Sequence, residues 1–159
     1  PIRVEEGDKH ATLLPCERFE MRFEIDFDTA VIGNQVVDFV VTEETFRKEI
    51  MAARTFGFAH EVEALRQAGL ARGGSLENAV VIDGGEILNP GGLRMEREFV
   101  RHKALDAIGD LYVLGAPLLA RYEGYKAGHQ LNNKLVRALL AQPDAWHTVT
   151  KVPDMAMAG

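Results

Sequence analysis

Phe19-Glu20-Met21-Arg22-Phe23-Glu24-Ile25-Asp26-Phe27 alternates without a break between apolar and charged side chains. Successive strand residues point to opposite faces. Phe19, Met21, Phe23, Ile25 and Phe27 therefore share one face, and Glu20, Arg22, Glu24 and Asp26 share the other. This is the pattern of an antiparallel strand with one side in a core and one in water. The apolar side needs a second layer over it, and the rest of the chain reads as the helices that supply one. Phe27, at the strand end, reads first as a core aromatic.

Upstream, residues 2–4 form a short apolar strand, Gly7-Asp8 a turn, and residues 9–14 its continuation. Pro1-Ile2-Arg3-Val4 thus reads as a strand and not as a signal peptide. Downstream, residues 28–34 make a loop and 35–41 the next strand. Thr42 can cap a helix running to about residue 53, with Glu43 and Glu44 favoured in its first turn. Phe46, Ile50 and Ala53 are expected to bury against the sheet. A strand–helix–strand unit inserted at about 57–88 comes next: helix 61–68 with Gly69 as C-cap, strand 79–83, the Gly84-Gly85 turn and a return over 86–88. Asn89-Pro90-Gly91-Gly92 is a break.

A central helix is expected from about 96 to 114, then a strand over 118–126, then a helix after Gly128-His129 with Leu131, Leu135 and Leu139 on one side. Pro143 ends it, and Asp144 can cap a last short helix carrying Trp146 and His147. The tail, 151–159, has no pattern and is expected to be mobile. The reading is a single α+β domain over residues 1–150. It is a two-layer sandwich: a mostly antiparallel sheet, helices packed on one face, plus the insert.

The 159 residues suffice for one domain with a real core, and 47% hydrophobic with 26% charged residues is ordinary for a globular protein. A formal net charge of -6 argues against general nucleic-acid binding. Cys16 has no internal disulfide partner, which suits a reducing compartment. No apolar run is long enough to span a bilayer.

The chemistry gathers on Arg101-His102-Lys103-Ala104-Leu105-Asp106-Ala107-Ile108-Gly109-Asp110-Leu111. His102, Asp106 and Asp110 recur every four residues and share a helix face with Gly109, while Leu105, Ile108, Leu111 and Tyr112 are expected to turn toward a core. His102 and Asp106 suit a zinc ion, though a catalytic zinc normally takes three protein ligands; an ordinary surface pair is the plain alternative. Asp110 with His129 is a second pair. It either ties two helices together or stabilises a cationic imidazole for acid catalysis. Thr55, between a helix end and two aromatics, is a turn or strand residue or else a placed hydrogen-bond donor. Lys9, Lys103 and Lys126 would suit a diphosphate if they converged; scattered surface lysines are the default. His60-Glu61 reads as a solvated helix start, and Gly73-Gly74 is only a faint phosphate loop.

His102-Lys103-x-Leu105-Asp106-x-Ile108-Gly109-Asp110-Leu111, Arg54-Thr55-Phe56-Gly57-Phe58 and Gly128-His129-x-Leu131-Asn132-Asn133-Lys134 occur in that order. Together they closely resemble the zinc-dependent UDP-3-O-acyl-N-acetylglucosamine deacetylases of lipid A biosynthesis in Gram-negative bacteria. The likeness runs from Pro1 to about Trp146. It implies a cytoplasmic hydrolase of two related α+β domains, of which this chain resembles the second. His102 and Asp106 then match zinc ligands, His129 the catalytic histidine with Asp110 as partner, and Thr55 a donor to the tetrahedral intermediate. Lys9, Lys103 and Lys126 match residues near the nucleotide phosphates, and Phe27 an aromatic against uracil. Phe56, with Ala59, Val62, Ala71, Gly74, Ser75 and Ala79, matches the passage for the acyl chain.

The resemblance also implies a third zinc histidine, directly after a water-activating glutamate, on the first domain. This sequence has no such Glu-His pair. The chain alone is therefore expected to bind zinc weakly and to be inactive, with Phe99 and Val113 exposed for want of the first domain. The alternative is a non-catalytic module that binds the UDP and acyl parts of the ligand.

Overall fold

The computed structural model describes residues 1–69 and 73–150. Ala71 and the tail 151–159 lie outside the described residues. Ile2–Glu6 (β1) and Lys9–Pro15 (β2) form a hairpin around Gly7, whose φ of 63° is left-handed backbone that glycine adopts without a Cβ penalty. The alternating stretch is Glu20–Asp26 (β3), paired antiparallel with Asn34–Val40 (β4). Met21, Phe23 and Ile25 are buried, as the alternation requires. The charged face stays partly exposed and is laced with ion pairs.

Thr42 caps Glu43–Thr45 (α1) with a reciprocal box. Its hydroxyl accepts from the Thr45 backbone N–H, and the Thr45 hydroxyl accepts from the Thr42 N–H. The helix expected to reach 53 instead widens into a π-helical turn, Phe46–Ile50, that carries Ile50 fully into the core. The insert is Thr55–Phe58 (β5), Ala59–Gln67 (α2), Ala79–Asp83 (β6) and Glu86–Ile87 (β7). It begins two residues earlier than the sequence reading and forms its own three-stranded sheet, with β5 parallel to β6 and β6 antiparallel to β7.

The central helix is Glu98–Leu111 (α3), shorter than expected, and closes in a 3-10 turn, Tyr112–Leu114, at Gly115. Its buried line is Val100, Ala104, Ala107 and Leu111. Tyr112 stands about 100° of helix rotation beyond Leu111. It is therefore 83% exposed, against the expectation that it faces the core. Phe99 reverses the other expectation. It is fully buried, because the Phe56 ring of β5 packs edge-on against it at 5.0 Å. Val113 is exposed as anticipated.

Ala120–Tyr125 (β8) and His129–Leu140 (α4) complete the domain. The main sheet has the order β1-β2-β8-β3-β4, antiparallel except where β8 runs parallel to β3. Helix α3 packs on β3 and β4, and α4 on β1 and β2, so both cover the same apolar face. Pro143–Ala145 is a single 3-10 turn. Trp146 and His147 are exposed and outside it, not on a last helix, because the backbone turns extended at Trp146, with φ -149° and ψ 161°.

In the middle of the sheet, Gly124 lies beside Ala11 and Phe23. A Cβ there would meet the Tyr122 ring and hydroxyl at 2.7 Å. The fully buried Tyr122 leans over that gap. Gly124→Ala is expected to cost about 1–3 kcal/mol through overpacking. Urea unfolding should show a lower midpoint with an unchanged slope.

Candidate functional site

The site is assembled where β5 meets α3. Ahead of Thr55, Arg54 is pinned by the fully buried Glu98: Oε1 accepts from Arg54 N at 3.0 Å and Nε at 2.8 Å, and Oε2 accepts from Nη2 at 3.0 Å and from the Arg94 backbone N–H at 2.6 Å. Glu98 lies one helical turn before His102. The Ala53 carbonyl, on the other side of Arg54, accepts from His102 Nδ1 at 3.3 Å. Strand start and helix face are thus locked together. Thr55, Phe56, His102, Lys103, Asp106 and His129 line one cleft of about 480 Å³. Phe27 joins them through an edge contact with Phe56 at 5.7 Å.

Donation from Nδ1 to Ala53 leaves His102 Nε2 as a lone pair, and that lone pair faces Asp106 Oδ1 at 3.3 Å. Burial is the main influence that pushes the His102 imidazole below its ordinary value, although Asp106 pulls the other way. A neutral ring nitrogen and a carboxylate oxygen that close each offer a lone pair to the same point in space. The donor set therefore fits a cation, and the second-nitrogen bond to a backbone carbonyl is the usual way a ligating histidine is oriented. Lys103 Nζ stands 3.5 Å and His129 Nε2 3.9 Å from Asp106 Oδ2. Among the described residues, no group of three His, Cys, Asp or Glu is placed to hold a metal. This site supplies two donors.

His129 opens α4, with Gly128 in extended backbone before it. Its Nδ1 bonds both Asp110 oxygens, at 3.0 and 2.9 Å, and its side chain is 65% exposed toward the cleft. Burial, then the Asp110 charge, push the Tyr122 hydroxyl above the ordinary tyrosine range, so it remains an O–H donor.

The lysines do not all converge. Lys103 lines the cleft. Lys9 is exposed at the start of β2, and Lys126, with a left-handed φ of 50°, is held by Asp8 at 3.0 Å and Asp26 at 3.4 Å. Neither lines the cleft. Of the residues matched to the acyl passage, Val62 is what a Cβ at Gly57 would meet, at 3.6 Å, Ala79 pairs with Thr55, Ala59 opens α2, and Gly74 and Ser75 are exposed. Three cleft residues carried no assignment from the sequence: Gly57, Phe58 and Glu61. The apolar–polar reading made Glu61 a solvated helix residue. It is indeed exposed, and it stands at the cleft's open rim because α2 follows directly on β5.

On an α+β scaffold, a cleft with an imidazole–carboxylate pair one turn apart, beside a second such pair, offers the kinds of side chain that metal-assisted and acid–base hydrolases use. Residues 1–141 match the family model LpxC, UDP-3-O-acyl N-acetylglycosamine deacetylase. The chain belongs to this family. It is 63% identical over 158 residues to the UDP-3-O-acyl-N-acetylglucosamine deacetylase of Phenylobacterium zucineum, covering 99% of this chain and 54% of that protein. Identity is 54% to the proteins of the same name from Saccharophagus degradans, over 97% of this chain and 52% of the relative, and Pseudomonas entomophila, over 93% and 50%. The chain spans about half the length of these curated relatives. No helix among the described residues is long and apolar enough to cross a membrane.

Proposed function

We propose that this chain is the second domain of a cytoplasmic, zinc-dependent hydrolase that removes the N-acetyl group from UDP-3-O-acyl-N-acetylglucosamine in lipid A biosynthesis. The supporting observation is the His102–Asp106 pair, two acceptors 3.3 Å apart in a cleft that also holds Thr55 and His129. His102 and Asp106 would hold the metal, and the further ligand and the water-activating base belong to the first domain. A bound zinc supplies Lewis acidity at the acetyl carbonyl and makes water a nucleophile at neutral pH.

This chain's residues do the rest. Thr55, held at its post by the Arg54–Glu98 lock, offers a hydroxyl to the oxyanion that develops on the acetyl carbon. Asp110 fixes His129 Nδ1 and so turns Nε2 to the cleft, where the cationic form of the ring would deliver its Nε2 proton to the departing sugar amine and remain as the Nδ1–H imidazole. Lys103 adds positive charge toward the nucleotide phosphates. Phe27, Phe56 and Phe58 form an apolar wall for the uracil and acyl parts.

The test is a zinc titration of the chain followed by calorimetry and by the His102 ring signals. His102→Ala and Asp106→Ala are each expected to weaken zinc binding by roughly tenfold or more, since even an outer-shell partner is worth that much. Zinc bound with equal affinity by both variants and the parent overturns the assignment. Turnover of UDP-3-O-acyl-N-acetylglucosamine by the chain alone at full enzymatic rates overturns the division of the site between two domains.

A further inference from the structure

Asn132 is a fully buried carboxamide on α4, flanked by the core residues Leu131, Leu135 and Val136. A polar group there is costly unless every hydrogen-bonding atom is matched. It is matched on both sides. The Tyr122 hydroxyl donates to Asn132 Oδ1 at 2.7 Å, and Asn132 Nδ2 donates to Asp110 Oδ2 at 2.8 Å. That same carboxylate accepts from His129 Nδ1.

The direction of the chain of bonds is dictated by chemistry. Asp110 only accepts, so the amide must turn its NH2 toward it and its oxygen toward Tyr122, which can donate. Tyr122 reaches that oxygen because Gly124 leaves room for the ring; a Cβ there would overlap the hydroxyl itself. Three residues from β8 and α4 thus end in one carboxylate on α3.

We propose that Tyr122 and Asn132 are positioning residues: they hold the Asp110 carboxylate against His129 Nδ1 and so keep Nε2 of that ring facing the cleft. The proposal rests on the reading of His129 as the proton-carrying group. Without the Asn132 bond, the Asp110 side chain keeps only its contacts to the exposed His129 ring among the hydrogen bonds of the described residues, and the pair can turn together. A charge-assisted bond of this kind favours one ring tautomer by roughly tenfold or more.

Nitrogen–proton spectra of the His129 ring and the Asn132 carboxamide in the 159-residue chain read this directly, without substrate or metal. The neutral ring of the parent should carry its proton on Nδ1 by roughly tenfold over the other tautomer. Tyr122→Phe removes only the hydroxyl. It should move the Asn132 carboxamide signals and reduce that preference by roughly threefold or more. Asn132→Ala should abolish it. A cooperatively folded Tyr122→Phe with unchanged carboxamide signals and tautomer ratio overturns the proposal, even if its melting temperature falls, since that is all a packing role would do. If Asn132→Ala does not fold, Tyr122→Phe still decides. The readout is the ring itself, so a failed zinc titration would count against the proposed function and not against this relay.

Discussion

Glu98→Ala is expected to lower the unfolding free energy by about 3–5 kcal/mol, the loss typical of breaking a buried ion pair from one side. Both partners are out of water: Glu98 is 0% exposed and Arg54 8%. Removing the carboxylate strands a guanidinium together with the backbone N–H groups of Arg54 and Arg94. Replacing both side chains, as in Arg54→Met with Glu98→Leu, should cost less than the single change, because no charge is left behind. Equilibrium urea unfolding of the three variants checks this. A loss below about 1 kcal/mol for Glu98→Ala, the range of a surface pair, would show that the lock is not what holds β5 to α3.

The same pair sets an acid limit. Burial pushes the Glu98 carboxyl up, but the Arg54 guanidinium and the two backbone N–H groups together outweigh it, and the group is held below the ordinary carboxylate value. The unfolded chain therefore binds this proton more readily than the folded one. The stabilisation is fully present above the unfolded carboxylate pKa and is lost as pH falls through the folded one. Glu98→Gln should flatten the stability curve across that acid window, and an unflattened curve would assign the acid loss to other carboxylates.

His129→Ala is expected to lower kcat for N-acetyl hydrolysis by about 100- to 10,000-fold in an enzyme carrying this chain, with KM little changed. The ring is exposed at the cleft and bonded behind to Asp110, so its loss removes a proton donor and little packing. Asp110→Asn should cost less than His129→Ala, because the ring remains but its rear acceptor is neutral. Steady-state kinetics on UDP-3-O-acyl-N-acetylglucosamine separate the cases. A raised KM with kcat intact would make His129 a binding residue instead.

Much of the fold was legible because period-two and period-3.6 patterns are local. The Phe19 to Phe27 alternation, the Thr42 cap, the Gly84-Gly85 turn and the leucine line of α4 each declare an element within a few residues. The errors fall where another element intervenes. Phe99 has no local sign that β5 will cover it, and Tyr112 sits one residue past the point where the core ends. The shared face of His102, Asp106 and Asp110 follows from helix spacing alone. That Lys9 and Lys126 lie away from the cleft, and that Glu61 lies at its rim, does not.

The order of residues by itself determined a half-buried sheet, its covering helices and two His–Asp pairs, since each depends on side chains a few positions apart. Only the tertiary structure decided which groups meet. Glu98 closes on Arg54 across 44 positions, His102 on Ala53 across 49, and Asn132 on Asp110 across 22. Those bonds form because desolvated polar groups must find partners once the apolar faces pack, and where the partners lie is a property of the packing.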